Sequence, residues 1–177
     1  MPAGFVYRPD LFSEADERRY VAQFESLPFK PFEFHGYLGN RRVVSFGFGY
    51  DYSAEELRDA DPIPEFLGPL RDIAGTLSGV PADRLVQALI TEYAPGAGIG
   101  WHRDRPMYED IIALSFVSPC TLRFRQREGS AWLRRSLEVA PRSGYMLRGE
   151  AREAWEHSIP AVDRLRYSVT FRNFRAA

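Results

Sequence analysis

The chain has 177 residues, 45% of them hydrophobic, and its 23 basic and 24 acidic side chains give a formal net charge of −1. This length predicts a single domain whose core needs no disulfide, and the one cysteine, Cys120, excludes an internal disulfide and a cysteine-based zinc cluster. The near-neutral charge argues against long-range attraction to duplex nucleic acid, so any such binding must depend on local patches. No apolar run approaches a membrane span, and the first residues lack the order of a signal peptide, so we expect a cytoplasmic protein.

Two helices are predicted in the first half of the chain. The first begins after Ser13, an N-cap residue with Asp16 three positions later, and ends before Pro28. The second opens at Pro64, although Pro69 is poorly placed within it. Apolar side chains recur at helical spacing in both segments, at Tyr20, Phe24, Leu27, Leu67, Leu70, Ala74 and Leu77.

The rest of the chain has the texture of strands and turns. The aromatic, glycine-punctuated segment 34–53 predicts a hairpin or extended loops, and His35 within it is interpreted as structural. From Leu85 onward, short β-branched and aromatic runs alternate with proline, glycine or charged turns. Helices followed by many short strands predict an α+β fold with an antiparallel sandwich or barrel as its core.

One predicted strand near the C-terminus has two different faces, because side chains alternate along a strand. Tyr167, Val169 and Phe171 lie on the apolar face, while Arg166, Ser168, Thr170 and Arg172 lie on the polar face. On an earlier strand, Thr91 and Tyr93 share one face in the same way. A polar face with two arginines predicts either a solvated surface or the wall of an anionic pocket.

The stretch GIGWHRDRP, residues Gly98 to Pro106, places His102 and Asp104 two positions apart. Alone, this pair is as consistent with a polar loop as with a metal site. His157, 55 residues after His102, is a candidate third ligand, or else a histidine of the core. Two histidines and one carboxylate that leave other positions open are typical of non-haem Fe(II) oxygenases.

The two arginines of the polar face suit a carboxylate ligand. The Cα atoms of Arg166 and Arg172 would be roughly 20 Å apart on a strand. If both side chains bend inward over Ser168 and Thr170, the remaining gap suits a small dicarboxylate. The planar fork of arginine is the usual partner of such a group.

These motifs resemble those of the AlkB-type branch of the Fe(II)/2-oxoglutarate dioxygenases, and the similarity covers most of the chain. The family pattern is Asn-x-Tyr-x-x-Gly-x-x-Ile-x-x-His-x-Asp, then a distal histidine, then Arg-x-Asn-x-Thr-x-Arg. Here the first part reads TEYAPGAGIGWHRD, residues 91–104, and the last reads RYSVTFR, residues 166–172. Thr91 and Ser168 depart from the pattern, since each stands where many members have asparagine.

The resemblance implies a role for each matching residue. His102, Asp104 and His157 would bind Fe(II), with 2-oxoglutarate and O2 as co-substrates. Arg166 would anchor the distal carboxylate of 2-oxoglutarate, and Arg172 would lie near the metal and the keto-acid end. Tyr93 and Thr170 would donate hydrogen bonds to the co-substrate. The two hydroxyl residues that replace asparagine would contact it directly or through water.

The resemblance also implies an architecture of one domain spanning the whole chain. Residues 85–177 would form a double-stranded β-helix (jelly-roll) core, and residues 1–84 would supply N-terminal helices and a substrate lid. The segment 41–53 resembles the substrate-recognition segment that caps the site in this family. Its aromatics could stack on a base, but Phe46 or Phe48 could equally belong to the core.

The implied activity is oxidative demethylation of N-alkylated bases in nucleic acid, in repair or RNA modification, by a monomer. Single-stranded or locally opened nucleic acid is the favoured partner, because a base that is already unstacked needs no flipping. Arg41, Arg42 and the arginines of 123–127 could hold such a strand, although the latter could instead guard an exposed sheet edge with charge.

Other functions stay open at this point. A hydroxylase or demethylase of a protein or small molecule would use the same site. A catalytically silent nucleic-acid-binding module would keep the fold, but it would be free to lose a metal ligand. A metal-dependent hydrolase or isomerase on a cupin-like jelly roll would leave Arg166 and Arg172 without a role.

Overall fold

The computed structural model describes residues 1–34, 37–51 and 54–176 of the chain. The helices are α1 (Glu14–Phe24), α2 (Gly68–Ser78) and α3 (Glu150–Glu153). The strands are β1 (Phe5–Arg8), β2 (Lys30–Phe34), β3 (Tyr37–Phe46), β4 (Phe48–Asp51), β5 (Glu56–Asp59), β6 (Gln87–Tyr93), β7 (Ile99–His102), β8 (Tyr108–Phe116), β9 (Cys120–Glu128), β10 (Ala131–Val139), β11 (Ser143–Leu147), β12 (Glu156–Ile159) and β13 (Arg166–Phe174). His35, and Tyr52 and Ser53 of the expected lid segment, lie outside the described residues.

Two facing antiparallel sheets form the core. Within the described residues, the main sheet has the order β1-β11-β8-β13-β6-β3-β2 and the minor sheet has the order β10-β9-β12-β7. One apolar cluster lies between the two sheets, and a second lies between the main sheet and helices α1 and α2. This arrangement is the predicted α+β fold with a jelly-roll core.

The central strand β13 separates these two clusters by simple alternation. Tyr167, Val169 and Phe171 are buried in the cluster beneath the helices. Arg166 and Ser168, on the opposite face, are only 0% and 5% exposed. The polar face of β13 is therefore an interior surface between the sheets, and the alternative of a solvated strand face is wrong.

The predicted helices are present, with boundaries that local chemistry explains. The backbone N–H of Asp16 donates to the Ser13 side chain, which confirms the N-cap of α1. Helix α2 begins only at Gly68, so Pro69 lies in its first turn, where a missing N–H costs no hydrogen bond. Among the helices described, none combines the length and apolar content needed to cross a bilayer.

Strands from the first part of the chain complete the main sheet. Strand β3 pairs with β6 from Arg42 to Phe46, and β1 pairs with β11 at the opposite edge. The expected lid segment 41–53 therefore begins inside the sheet, and only its later part leaves it. That part, β4, forms a hairpin with β5.

The arginine-rich strand β9 lies inside the minor sheet. It pairs with β10 along one side and with β12 along the other. The interpretation of 123–127 as a charge-guarded sheet edge is therefore wrong, because β9 has hydrogen-bonded neighbours on both sides. The arginines instead point away from the core, while Leu122 and Phe124 are fully buried.

Candidate active site

The two histidines of the predicted metal site are neighbours across a strand pair. His102 on β7 and His157 on β12 are directly opposite each other in the antiparallel register. Their ring centroids are 4.3 Å apart. Side chains opposite each other in such a pair lie close together on the same face of a sheet. Strand pairing thus brings together two histidines that are 55 positions apart in the sequence.

Asp104 completes the cluster from the segment that follows β7. Its Oδ1 lies 3.5 Å from Nε2 of His157 and 3.7 Å from Nε2 of His102. One ligand atom from each of the three residues lies within 4.8 Å of the others. Two imidazole nitrogens and one carboxylate oxygen at this spacing can bind a divalent transition metal from one side.

Both histidines direct Nε2 at the cluster. Nδ1 of His102 lies 2.8 Å from the Gly100 carbonyl oxygen, which can only accept, so Nδ1 is the donor nitrogen and Nε2 is the nitrogen directed at the cluster. Burial and the neighbouring His102 lower the pKa of His157 to about 3. A metal ion can therefore bind at neutral pH without first displacing a proton from His157.

Arg172 binds one oxygen of the Asp104 carboxylate and leaves the other to the metal cluster. Nε and Nη2 of Arg172 lie 2.8 and 2.7 Å from Oδ2, so Oδ1 alone faces the histidines. Burial raises the pKa of Asp104, but Arg172 and the two histidines outweigh burial, and the pKa lies below its usual range. Arg172 also donates to Gln87 Oε1 at 3.0 Å, and Gln87 donates to the Phe48 carbonyl at 3.1 Å.

Arg166 is a buried cation on the same interior face. Its side chain is fully buried, and Nε donates to Ser115 Oγ at 3.1 Å. Within the described residues, Nη1 and Nη2 have no hydrogen-bond partner and the guanidinium has no ion pair. A buried charge without a partner is strongly unfavourable, so the site is suited to an anion.

The remaining predicted residues surround this guanidinium because of strand register. Tyr93 on β6 is the register partner of Arg166, and its ring centroid is 5.0 Å from the guanidinium carbon. Thr91 is the partner of Ser168, and both are buried. Thr170, 8% exposed, follows on the same face of β13. The structure therefore brings together the residues that the arginine motif and the tyrosine motif predicted separately.

Sequence reasoning missed several side chains near the arginines. Ser115, Cys120 and Tyr145 lie near Arg166, and burial raises the pKa of both the Cys120 thiol and the Tyr145 hydroxyl. Gln87 lies beside Arg172. Apart from the alternation of Gln87 with Thr91 and Tyr93 on β6, the sequence carries no signal for them. Gln87 and Ser115 lie on β6 and β8, the strands that pair with β13, whereas Tyr145 lies on β11 and Cys120 on β9 of the facing sheet. These neighbours become visible only in the fold.

Residues 9–172 match the family model of the 2OG-Fe(II) oxygenase superfamily. The chain belongs to this superfamily. Its cofactors are therefore Fe(II), 2-oxoglutarate and O2, and the His-Asp-His cluster provides ligands of the type that iron requires.

Individual relatives indicate which branch of the superfamily the chain is similar to. The alkylated DNA repair protein ALKBH8 homolog of Arabidopsis thaliana is 27% identical over 97% of this chain and 56% of its own length. The probable RNA/DNA demethylase ALKBH6 of Danio rerio is 30% identical over 68% of this chain and 49% of its own length. The chain thus spans about half of each of these relatives. OsALKBH1 has the same fold, with a TM-score of 0.72 and 14% identity over 98% of this chain and 97% of its own. This superfamily member is of the AlkB type.

Two glycines shape the turn that leads to the metal ligands of this oxygenase. Gly96 has a φ of +91°, which side chains other than glycine rarely adopt. Gly98 lies so close to β12 that a Cβ atom would be 2.6 Å from the Ile159 carbonyl oxygen. Glycine therefore lets β7 approach β12 closely enough to bring the two histidines together.

The aromatics of the expected lid segment differ in their surroundings. Phe46 is 7% exposed and belongs to the core beneath the helices, so it cannot stack on a substrate. Half-buried Phe48 packs on Phe174 with centroids 5.0 Å apart. The Arg105 guanidinium lies 4.0 Å from the centroid of the Tyr50 ring.

The arginines beside this segment are also engaged. Nε and Nη2 of Arg42 each lie 2.7 Å from an oxygen of Glu92. The guanidinium of Arg41 lies 3.9 Å from the centroid of the Phe32 ring. Arg42 is therefore neutralised within the protein, which weakens the expectation that it holds a nucleic-acid strand.

The metal-free oxygenase should lose stability on acidification. The pKa of His157 is about 3 in the folded chain against an ordinary 6.5, so the unfolded chain binds more protons between these values. Stability should fall as pH drops from 6.5 towards 3 and change little from this source below that. Urea unfolding of metal-free protein across this range measures the effect. His157→Gln should show a flatter profile, and a profile parallel to that of the wild type would contradict the assignment.

Proposed function

We propose that this oxygenase oxidatively demethylates N-alkylated bases in single-stranded or locally opened nucleic acid. The observation that carries the proposal is a His-Asp-His cluster in the same chain as a fully buried arginine, Arg166, that has no anionic partner among the described residues. The two relatives whose names refer to alkylated DNA repair and RNA/DNA demethylation support the choice of substrate.

In this proposal, His102, Asp104 and His157 hold Fe(II). Three ligands on one side of the ion leave its other positions for 2-oxoglutarate and O2. Arg172 orients the carboxylate so that Oδ1 alone faces the histidines. The Gly100 carbonyl fixes the tautomer of His102. Together these contacts preorganise the ligand set before the metal binds.

Arg166 anchors the distal carboxylate of 2-oxoglutarate, which satisfies its two terminal nitrogens. Tyr93 and Thr170 supply hydrogen bonds to the co-substrate from the same interior face. Thr91 and Ser168 face each other across the strand pair and line the pocket. Burial of these residues keeps water away from the carboxylate, which strengthens the charge-assisted hydrogen bonds.

When bound, iron, 2-oxoglutarate and O2 supply an oxidant that hydroxylates a C–H bond, with succinate and CO2 as co-products. If the carbon is an N-methyl group, the hydroxymethyl product releases formaldehyde and leaves the demethylated amine. The chain positions that methyl group near the metal and excludes water from the pocket. Half-buried Phe48 and Tyr50 on β4 are the candidates for contact with the target base.

Replacing a metal ligand should abolish iron binding. The two histidine variants should keep the stability of the fold, whereas Asp104→Ala also leaves the buried Arg172 without its carboxylate partner and should be less stable. His102→Ala, His157→Ala and Asp104→Ala each remove one of three ligands, so we expect iron content to fall from one ion per chain to near zero. Metal analysis after dialysis measures the loss, and circular dichroism checks the fold. His35→Ala, which removes the only other histidine, is the control. Unchanged iron content in the ligand variants would contradict the assignment.

Arg166→Ala should retain the metal but bind 2-oxoglutarate weakly. Hydrogen bonds to charged groups contribute about 1.5–3 kcal/mol, so affinity should fall roughly ten- to a hundredfold. Calorimetric titration of the metal-loaded, oxygen-free protein gives the affinity. Arg166→Lys retains the charge without the planar fork, so it should lose less affinity for 2-oxoglutarate than Arg166→Ala. The remaining loss measures the contribution of the fork. Equal affinity in the wild type and in both variants would exclude this role.

The substrate class is tested with a panel of methylated single-stranded DNA, single-stranded RNA, matched duplexes, peptides and free nucleosides. We expect formaldehyde release and a mass loss of one methylene from single strands, and little turnover of intact duplexes, because flipping a paired base costs a few kcal/mol. Asp104→Ala protein is the blank for iron-independent chemistry. Turnover of a peptide or metabolite without demethylation of any oligonucleotide would assign the enzyme to protein or small-molecule hydroxylation.

A further inference from the structure

The outward face of the minor sheet carries a cluster of arginines and tryptophans. We call it the arginine–tryptophan face, and its members are Trp101, Arg123, Arg125, Arg127, Trp132 and Arg134. The three arginines of β9 alternate with buried Leu122 and Phe124, so they point away from the core. In the register with β10, Trp132 lies opposite Arg127 and Arg134 lies opposite Arg125.

The guanidinium groups and indole rings alternate in one continuous row. Trp101 has the Arg123 guanidinium 4.9 Å from its ring centroid and that of Arg125 at 4.5 Å. Trp132 has the Arg125 guanidinium at 4.2 Å and that of Arg127 at 5.1 Å. Stacking on aromatic rings holds each arginine in place, so less side-chain freedom is lost when a ligand binds.

Among the residues that the structure describes, Arg125 is the one arginine of this row with an ion pair. Arg125 pairs with Glu156 at 2.6 Å, and Arg123 donates to the Ser158 hydroxyl at 3.0 Å. In the part of the chain that the structure describes, Arg127 and Arg134 make no ion pair. The face is thus locally basic on a chain whose net charge is −1. Protection of a sheet edge does not explain it, because β9 is an interior strand.

We propose that the arginine–tryptophan face binds single-stranded nucleic acid outside the active site. Arginines would contact successive phosphates, and the indole rings would stack against bases. A shallow open depression beside the row is lined by Trp101, Arg123, Arg134 and Ser136 among others, and a base could lie in it against the sheet. A sheet face with interleaved aromatic and basic side chains suits a flexible single strand better than a rigid duplex.

The location of this face relates it to the proposed function, on which its biological role rests. Trp101 directly precedes His102 on β7, and successive side chains of a strand point to opposite faces. The face and the metal cluster therefore lie on opposite sides of the same sheet. A strand bound on the outside would raise the local concentration of its own bases near the site.

The direct test is binding of an unmethylated, fluorescein-labelled single-stranded oligonucleotide to the full-length chain, measured by anisotropy. Arg123→Ala with Arg127→Ala should weaken binding and lower the slope of log affinity against log salt by about 1.4, since each lost phosphate contact accounts for about 0.7. The matched control removes two exposed arginines elsewhere, Arg18→Ala with Arg84→Ala, and should bind like the wild type.

Two further measurements separate stacking from charge and from misfolding. Trp132→Ala should weaken binding about tenfold, while Trp132→Phe, which retains a ring, should lose less. Urea unfolding of each variant shows whether the fold is intact. Equal binding in the wild type and in folded face variants would overturn the proposal. Dimerisation through this face would also overturn it. It would appear as a mass that rises with protein concentration in the wild type but not in the face variants.

Activity measurements keep this proposal distinct from the demethylase assignment. If the face variants have a lower kcat/KM than the wild type on a long methylated strand but the same kcat/KM on a methylated nucleoside, both the face and the demethylase assignment are supported. Loss of oligonucleotide binding in the face variants of a protein that demethylates no nucleic acid would support the face and overturn the demethylase assignment. Demethylation at equal kcat/KM by the wild type and the face variants would overturn the role of the face alone.

Discussion

The contact between Arg172 and Asp104 joins the two sheets at the point where the metal ligands meet. Arg172 belongs to the central strand of the main sheet, and Asp104 follows the last strand of the minor sheet. Because both nitrogens of the arginine approach one carboxylate oxygen, the other oxygen is directed at the two histidines. Breaking this pair would leave a buried charge on each side, so the geometry of the ligands and the packing of the sheets are held by one interaction.

The same interior surface contains a second buried arginine with a different role. The energetic cost of burying Arg172 is offset inside the protein by Asp104, whereas Arg166 lacks an anionic partner among the described residues. An uncompensated buried cation lowers the stability of the isolated chain, and an anionic ligand that pairs with it binds tightly for the same reason. At Arg166 the chain thus has a lower free energy of unfolding and, for the same reason, a higher affinity for an anionic ligand.

The sequence was most informative where the chemistry is local or the motif is ordered along the chain. The N-cap at Ser13 and the alternation along β13 follow from short-range rules and are found in the structure. The pairing of β7 with β12 could not be predicted, because register across 55 residues depends on the whole fold. The partner of Arg42 was missed for the same reason: Glu92 lies on a neighbouring strand.

The misinterpreted strand β9 shows the limit of reading charge without topology. Three arginines on alternate positions have the same pattern whether a strand lies at the edge or inside a sheet, since alternation reports only the face. Only the pairing with β10 and β12 distinguishes the two cases. Burial is equally hard to predict here, because nothing in the sequence distinguishes buried Phe46 from half-buried Phe48.

Gln87 connects the carboxylate of a metal ligand to the β4–β5 hairpin through hydrogen bonds. Its side-chain oxygen accepts from Arg172 while its nitrogen donates to the main chain of β4, so the ligand carboxylate and the β4–β5 hairpin lie at the two ends of one hydrogen-bond chain. The amide of Gln87 serves both ends at once, since it offers an acceptor oxygen and a donor nitrogen. A carboxylate here would face the main-chain oxygen of Phe48 with a second acceptor, and a leucine would face both ends with neither group. A shift of the β4–β5 hairpin would therefore be transmitted through Gln87 and Arg172 to the Asp104 carboxylate.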